Sequence, residues 1–174
     1  MLFKQLASAA ALATIAATSA YSANKDVLPQ DNAEFTKWGE IEGWTVYVDQ
    51  SRGTCLIERV DDNANVVQMG LTASHEFGYL GVFTQADVHP KDDKLHLKLD
   101  DKAYSGDSSA KTKNLAQGYK GGYILANNPD FVEDVMKRYT MTIYPEDANS
   151  FEVSLDGTFK AIEEARKCNA EQSN

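Results

Sequence analysis

Apolar and polar residues alternate in short stretches along most of the chain, with turn-forming residues between the stretches. The stretch WTVYVD at 44–49 alternates strictly, and so does LHLKLD at 95–100, where three leucines share one face and His96 and Lys98 share the other. A period of two is typical of strands that bury one face. Only a short turn separates the first of these strands from 54–60, so the two predict a hairpin. The other predicted strands are 66–73, 79–85, 121–127, 140–145 and 150–155.

Two late stretches have helical spacing instead. In NPDFVEDVMKRY, Asn128 is a good N-cap and Pro129 suits the first turn. A second helix is predicted to begin at Asp156 or Thr158. The predicted apolar stripes are Phe131, Val132, Val135, Met136 and Tyr139 in the first helix, and Phe159, Ile162, Ala165 and Cys168 in the second. The order of elements predicts a mainly β fold, an antiparallel β-sandwich or partly open barrel with one inserted helix and a C-terminal helix.

Residues 1–20, MLFKQLASAAALATIAATSA, have the features of a secretory signal peptide. Lys4 gives a positive start, a short apolar run follows, and small residues precede a cleavage site after Ala20. The apolar run is too short to span a membrane comfortably. Its alanine-rich composition is typical of bacterial signals, so we expect a periplasmic or secreted protein.

The remainder of the chain predicts one domain. Residues 21–37 are polar and predict a flexible N-terminal arm, and 38–174 predict a single β-rich domain. The chain has 26 acidic and 17 basic residues, a formal net charge of −9, and its basic residues are not clustered. Such a surface disfavours nucleic acid and anionic membranes as partners, and we expect no stable membrane insertion after the signal is removed.

The only two cysteines are Cys55, in a predicted strand, and Cys168, in the last predicted helix. In an oxidising compartment two cysteines most simply form one disulfide, which would join that helix to the early strand. Free thiols or a shared metal are the alternatives. A metal site is disfavoured because no histidine lies near either cysteine, and a redox-active pair because there is no C-x-x-C.

Both ends of the predicted domain carry a family pattern. GWTV at 43–46 is followed by Cys55, and 151–162 have the pattern F-x-x-x-L-x-G-T-x-x-A-I. In these stretches the chain resembles exported proteobacterial proteins of the invasion-associated locus B type. The resemblance implies a periplasmic β-sandwich protein with a role in the envelope or in host interaction, and it supplies no catalytic residues.

The histidines give two weak site predictions. His75 and Glu76 are adjacent, but they begin HEFGY and not the complete zinc motif H-E-x-x-H. His89 lies near Asp92, Asp93 and the outward His96, a set that could gather around a divalent cation. Either set would suit a small metal-dependent or hydrolytic periplasmic enzyme, which is the alternative function. Neither is specific, so we predict no catalytic residue, no bound metal and no cofactor.

Two tyrosines lie in the glycine-flanked stretch GYKGGY. Tyr119 and Tyr123 could be displayed on loops, where tyrosine suits recognition of a protein or glycan, or they could be ordinary strand residues. We therefore predict an exported, β-rich protein that binds an envelope or extracellular protein or glycan without catalysis.

Overall fold

The computed structural model describes residues 35–72, 75–90, 92, 94–106 and 118–172. The predicted signal peptide and residues 21–34 of the predicted arm lie outside these ranges. Within them the chain forms ten strands and two helices. The strands are β1 Phe35–Ile41, β2 Trp44–Asp49, β3 Thr54–Val60, β4 Val66–Leu71, β5 Gly78–Thr84, β6 His96–Leu99, β7 Lys102–Ser105, β8 Lys120–Ala126, β9 Thr140–Ile143 and β10 Phe151–Ser154. The helices are α1 Pro129–Lys137 and α2 Thr158–Gln172.

The strands form two antiparallel sheets. The larger has the order β1-β2-β3-β4-β5-β8, and the smaller has the order β10-β9-β6-β7. The predicted hairpin of β2 and β3 is present, with Val46 opposite Ile57. This architecture confirms the mainly β prediction in its sandwich form, with α1 inserted before β9 and α2 after the last strand.

One face of the six-stranded sheet packs on the two helices and on the smaller sheet to make the main core. Trp44, Val46 and Val48 of β2 are buried there, as their alternation predicted. The leucines of 95–100 are buried as well, whereas His96 and Lys98 are partly exposed. We call this buried side of the large sheet its inner face and the opposite side its outer face.

Helix α2 is fastened to the large sheet near both of its ends. At its start, the carbonyl of Asp156 accepts hydrogen bonds from Trp44 Nε1 at 2.8 Å and from Arg59 at 2.9 Å. Towards its end, Cys168 forms the predicted disulfide with Cys55, with the Cα atoms 6.0 Å apart. The polar contacts and the covalent bond together fix α2 across the sheet.

The predicted stripe of α2 was wrong at Phe159, which is 55% exposed. A spacing of three residues falls short of the helical repeat of 3.6, so each step drifts about 60° around the helix. Three such steps place Phe159 opposite Cys168. The residues of α2 that are buried are Thr158, Ala161, Ala165 and Cys168.

Three other differences from the sequence prediction exceed a shift of an element's end by one or two residues. β1 begins at Phe35, so residues 35–37 belong to the sheet and not to the predicted arm. Tyr139 lies beyond the end of α1 and is 75% exposed. β7 was not predicted as a separate strand. No helix in the described ranges has the length and apolarity that a membrane crossing needs.

Candidate binding cleft

An apolar cavity of about 240 Å³ lies between the inner face of the large sheet and the two helices. We call it the helix–sheet cleft. Its floor is built by β3, β4 and β5, and its walls by α1 and α2. The side chains that give it its apolar character are Cys55, Ile57, Met69, Leu80, Phe131, Val135, Ile162 and Ala165.

A second, more open cavity of about 450 Å³ lies next to the cleft. Ala126 and Val132 line both cavities, so the two meet there. We call the second cavity the apolar shelf, because it is lined by Phe77 and Phe159, two of the large hydrophobic side chains that are exposed. The shelf therefore exposes apolar side chains to solvent beside the cleft.

Small residues at inward positions leave this space open. Gly78 and Ala126 are opposite each other in the pairing of β5 with β8. A Cβ atom added at Gly78 would lie 3.3 Å from that of Ala126, a tight but not forbidden contact. Ala165 contributes only a methyl group from α2. Because the disulfide holds α2 against β3, the helix is not free to move inward and close the gap.

Few polar groups line the cleft. Asn169 is occupied by the backbone, since its Oδ1 accepts from the Cys55 N–H at 2.8 Å and its Nδ2 donates to the Ala165 carbonyl at 2.9 Å. Arg166 brings a charge to the cleft and pairs with Glu163 on the same helix. The cleft is thus an apolar space with a cation at its edge.

The α1 wall is held through a buried carboxylate. Asp134 accepts a hydrogen bond from Tyr104 Oη at 2.6 Å and forms an ion pair with Lys102 at 2.8 Å, both from β7. The hydrogen bonds from Lys102 and Tyr104 lower the pKa of Asp134 to about 2. Asp134 is therefore ionised at neutral pH and ties α1 to the smaller sheet.

The second histidine set lies around a different cavity, of about 500 Å³, which we call the acidic groove. The sequence prediction grouped His89 with Asp92, but Asp92 pairs with His96, whose Nε2 lies 2.6 Å from Asp92 Oδ1. The backbone N–H of His89 donates instead to Asp147 at 2.7 Å. The bond to His96 lowers the pKa of Asp92, and the N–H groups of Asn149 and His89 lower that of Asp147.

The two histidines of the acidic groove approach different carboxylates. Among the described residues, no three His, Cys, Asp or Glu side chains are placed to hold a metal ion. The ring Nε2 of His89 lies 3.6 Å from Asp87 Oδ1, so the two histidines have different carboxylate partners. Of these two histidine–carboxylate pairs, Asp92 with His96 is the one within hydrogen-bond distance, and both of its side chains are partly exposed.

His75 and Glu76 lie in the connection from β4 to β5, with both residues exposed. His75 has a φ of 60°, in the left-handed region, and its N–H donates to the Thr72 carbonyl at 2.9 Å. Neither residue lines the cleft, the shelf or the acidic groove. The structure therefore does not join this pair to the other site candidates.

The two candidate tyrosines pack against the protein. Tyr123 belongs to β8 on the outer face, where its ring makes edge-to-face contacts with Tyr79 and Phe83 at 5.4 and 5.3 Å. Tyr119 is half-buried, and its hydroxyl donates to the Ala64 carbonyl at 3.2 Å. Tyr123 therefore has the surroundings of an ordinary strand residue, whereas Tyr119 directly precedes β8 and is held by its hydroxyl contact.

The outer face also contains a buried carboxylate that the sequence prediction missed. Glu58 is 9% exposed and accepts a hydrogen bond from Gln68 Nε2 at 2.7 Å. Burial raises the pKa of Glu58 above its usual range. The Oε1 atom of Gln68 is buried without a hydrogen-bond partner. The contact between Glu58 and Gln68 therefore leaves one buried polar atom of the sheet without a hydrogen bond.

The sequence prediction also missed the cleft and the shelf. Their only signal in the sequence is a set of small residues, Gly78, Ala126 and Ala165, at positions that turn out to face inward. Comparison with protein-family models, with curated proteins and with solved structures finds no match for this chain. The resemblance to exported invasion-associated proteins therefore stays a prediction.

Proposed function

We propose that this chain is an exported binding protein that acts without catalysis, and that its ligand places an apolar group in the helix–sheet cleft. The signal-like residues 1–20 and the disulfide support export. The observation that carries the binding proposal is the cleft itself, an apolar space kept open between well-packed elements.

The volume of the cleft indicates the size of the group that fits. Engineered apolar cavities of about 150 Å³ in another protein stay dry and bind benzene. The cleft, at about 240 Å³, is larger. It accommodates a substituted ring or a short aliphatic chain, and the shelf accepts what extends beyond it.

The predicted envelope or extracellular partner is compatible with this site. A partner of that kind would insert the apolar part of its structure into the cleft and lie across the shelf at Phe77 and Phe159. The hydrolytic alternative has weaker support, because its strongest feature is the open Asp92–His96 pair. Catalysis by such a pair requires a reacting group aligned with it.

The test is binding of an uncharged apolar fluorophore, N-phenyl-1-naphthylamine, which brightens when it leaves water. The wild-type protein should bind it, and Ala126→Phe should weaken binding by more than tenfold, because the added ring fills the junction of the cleft and the shelf. Leu125→Phe is the matched control, since Leu125 is the adjacent, exposed residue on the outer face. Equal affinities for wild type and Ala126→Phe would refute the site.

A second pair of variants tests the shelf without altering the core. Phe159→Ser should weaken binding of the same fluorophore severalfold and leave the melting temperature nearly unchanged, because Phe159 is largely exposed. Tyr139→Ser removes an even more exposed aromatic residue that lines neither cavity. If both substitutions have the same effect on affinity, the shelf has no part in binding.

Export is tested by the intact mass of protein recovered from the periplasm of an expressing bacterium without reductant. The expected mass is that of a chain starting at Tyr21, two hydrogens lighter than the reduced form. A chain that keeps residues 1–20 and is found only in the cytoplasm would refute export.

A further inference from the structure

The charge at the cleft points to the class of ligand. We infer that the ligand is a free amphiphile with one anionic head group, whose apolar chain occupies the helix–sheet cleft and whose head group binds Arg166. This inference rests on the proposed function, because it assigns the ligand of the same site. It is argued from the charged residues around the cavities and from the remaining hydrogen-bond capacity of Arg166.

The cleft has a cation where other cavities have carboxylates. Among the described residues that line the cleft, Arg166 is the charged one. The shelf is lined by one residue of each sign, Glu133 and Lys137, which form an ion pair. Glu163, the ion-pair partner of Arg166, does not line the cleft. The acidic groove is lined by three carboxylates, Asp92, Glu146 and Asp147, and by one lysine, Lys98. A further cavity is lined, within the described part of the chain, by Glu40, Glu42 and Glu58 and by no cation. Of these four cavities, the cleft is therefore the one whose lining best suits an anion.

Arg166 retains donors for a ligand. Its Nη1 pairs with Glu163, and a guanidinium group has five N–H donors. The other donors can bind a carboxylate or a similar anion, for which the planar fork of arginine is well shaped. The Arg166 side chain is 61% exposed, so the head group adds a moderate amount to an affinity that the apolar chain mainly provides.

The negative net charge of the whole protein makes a preference for anionic ligands a specific sign of Arg166. With a formal net charge of −9, the protein repels anions and attracts cations at long range. A preference for an anionic over a neutral or cationic amphiphile would therefore have to come from a local cation. The same net charge disfavours an anionic membrane surface, so we assign a free amphiphile and not a lipid within a bilayer.

Three probes with the same ten-carbon chain and different head groups test the inference. Each is used to displace N-phenyl-1-naphthylamine, below its critical micelle concentration and at low ionic strength. They are decanoate, 1-decanol and decyltrimethylammonium. We expect decanoate to bind about tenfold more tightly than decanol, as one charge-assisted hydrogen bond at a partly exposed site would give. Within a series of carboxylates, affinity should rise by up to about fourfold for each added methylene until the cleft is full.

Variants separate the head group from the chain. Arg166→Gln should lower the affinity for decanoate about tenfold and leave that for decanol unchanged. Lys167→Gln is the matched control, because Lys167 is the next residue of α2, is exposed, pairs with Glu164 in the same way and does not line the cleft. Equal loss of decanoate and decanol in Arg166→Gln, or equal affinity of the wild type for the two probes, would overturn the inference.

The two proposals fail in distinguishable ways. If the uncharged fluorophore binds and Ala126→Phe blocks it, but head-group charge has no effect, the proposed function stands and the inference is wrong. If the fluorophore does not bind, both are wrong. Cosedimentation of the protein with phosphatidylglycerol vesicles would overturn the assignment of a free amphiphile, since we expect the protein to remain in the supernatant.

Discussion

Opening the Cys55–Cys168 disulfide should cost this protein a large part of its stability. The bridge spans a sequence separation of 113 residues. In the chain-entropy model, a closed loop of that size restricts the unfolded chain by about 5 kcal/mol. Small domains are typically stable by roughly 5–15 kcal/mol, so the loss would leave a marginal protein. Both cysteines are buried, so deleting the sulfur atoms adds a packing cost of its own.

Urea unfolding followed by tryptophan fluorescence measures this effect, because Trp44 is fully buried and reports loss of the core. Three samples separate the cost of losing the cross-link from the cost of losing the buried sulfur atoms. They are the oxidised wild type, the wild type reduced and kept reduced, and the variant Cys55→Ala/Cys168→Ala. The reduced wild type keeps both sulfur atoms and loses only the cross-link. Its unfolding midpoint should fall, and its denaturant slope m should rise, because a chain without the bridge exposes more surface when it unfolds.

The reasoning predicts an order of stability: oxidised wild type first, reduced wild type second and the alanine variant last. A difference below about 1 kcal/mol between the oxidised and reduced wild type would refute the entropic argument, since it is far from the expected 5 kcal/mol. An alanine variant as stable as the reduced protein would show that packing of the sulfur atoms contributes little.

Two further predictions concern buried carboxylates. For Asp134 the folded pKa, about 2, lies below the unfolded value of about 4, so its stabilising effect is complete above pH 4 and is lost as the pH falls towards 2. Asp134→Asn should therefore lower the melting temperature at pH 7 and narrow the gap to wild type at pH 2, and a constant gap would contradict the ion-pair role. For Glu58 burial raises the pKa, so ionisation destabilises the fold as the pH rises. Glu58→Gln should raise the melting temperature at pH 8, where an amide also offers a donor to Gln68 Oε1, and should have little effect at pH 4; equal shifts at both pH values would contradict this account.

The elements with one buried face could be predicted from the sequence, because burial imposes a period that remains visible in the residues. β2 and β6 both alternate in sequence because one side of each packs on the main core. In β6 the other side is partly exposed, whereas in β2 it is largely covered, at Tyr47 and Asp49. The disulfide was predictable because only two cysteines are present and an exported chain favours their oxidation.

The elements that were missed lie at edges. β1 is an edge strand with a register shift between Lys37 and Gly39, and most of its residues are partly or fully exposed, so no alternation marks it. β7 is a short edge strand whose residues are mostly exposed. The register predicted for α2 is wrong at Phe159 because apolar residues spaced three apart drift around the helix and do not share one face.

The cleft was beyond a sequence prediction for a different reason. It is a space, and its lining comes from six elements that are far apart in the chain. A small residue such as Ala126 or Gly78 has the same appearance in the sequence whether it faces a packed neighbour or a gap. Whether such a residue faces a packed neighbour or a gap depends on how α1, α2 and the sheet are placed relative to one another.

The two attachments of α2 determine how the cleft exchanges its contents with solvent. A helix joined to the sheet by a covalent bond near one end and by hydrogen bonds at the other does not swing outward without global unfolding. Helix α1 has no covalent cross-link: it is held by the contacts of Asp134 with β7 and by the burial of Phe131 and Val135. Non-covalent contacts of this kind can break in local fluctuations. We therefore expect the cleft to widen by displacement of α1, and the amide hydrogens of α1 to exchange with solvent well before those of α2. On that expectation, a ligand of the kind proposed above would leave at the rate at which α1 detaches.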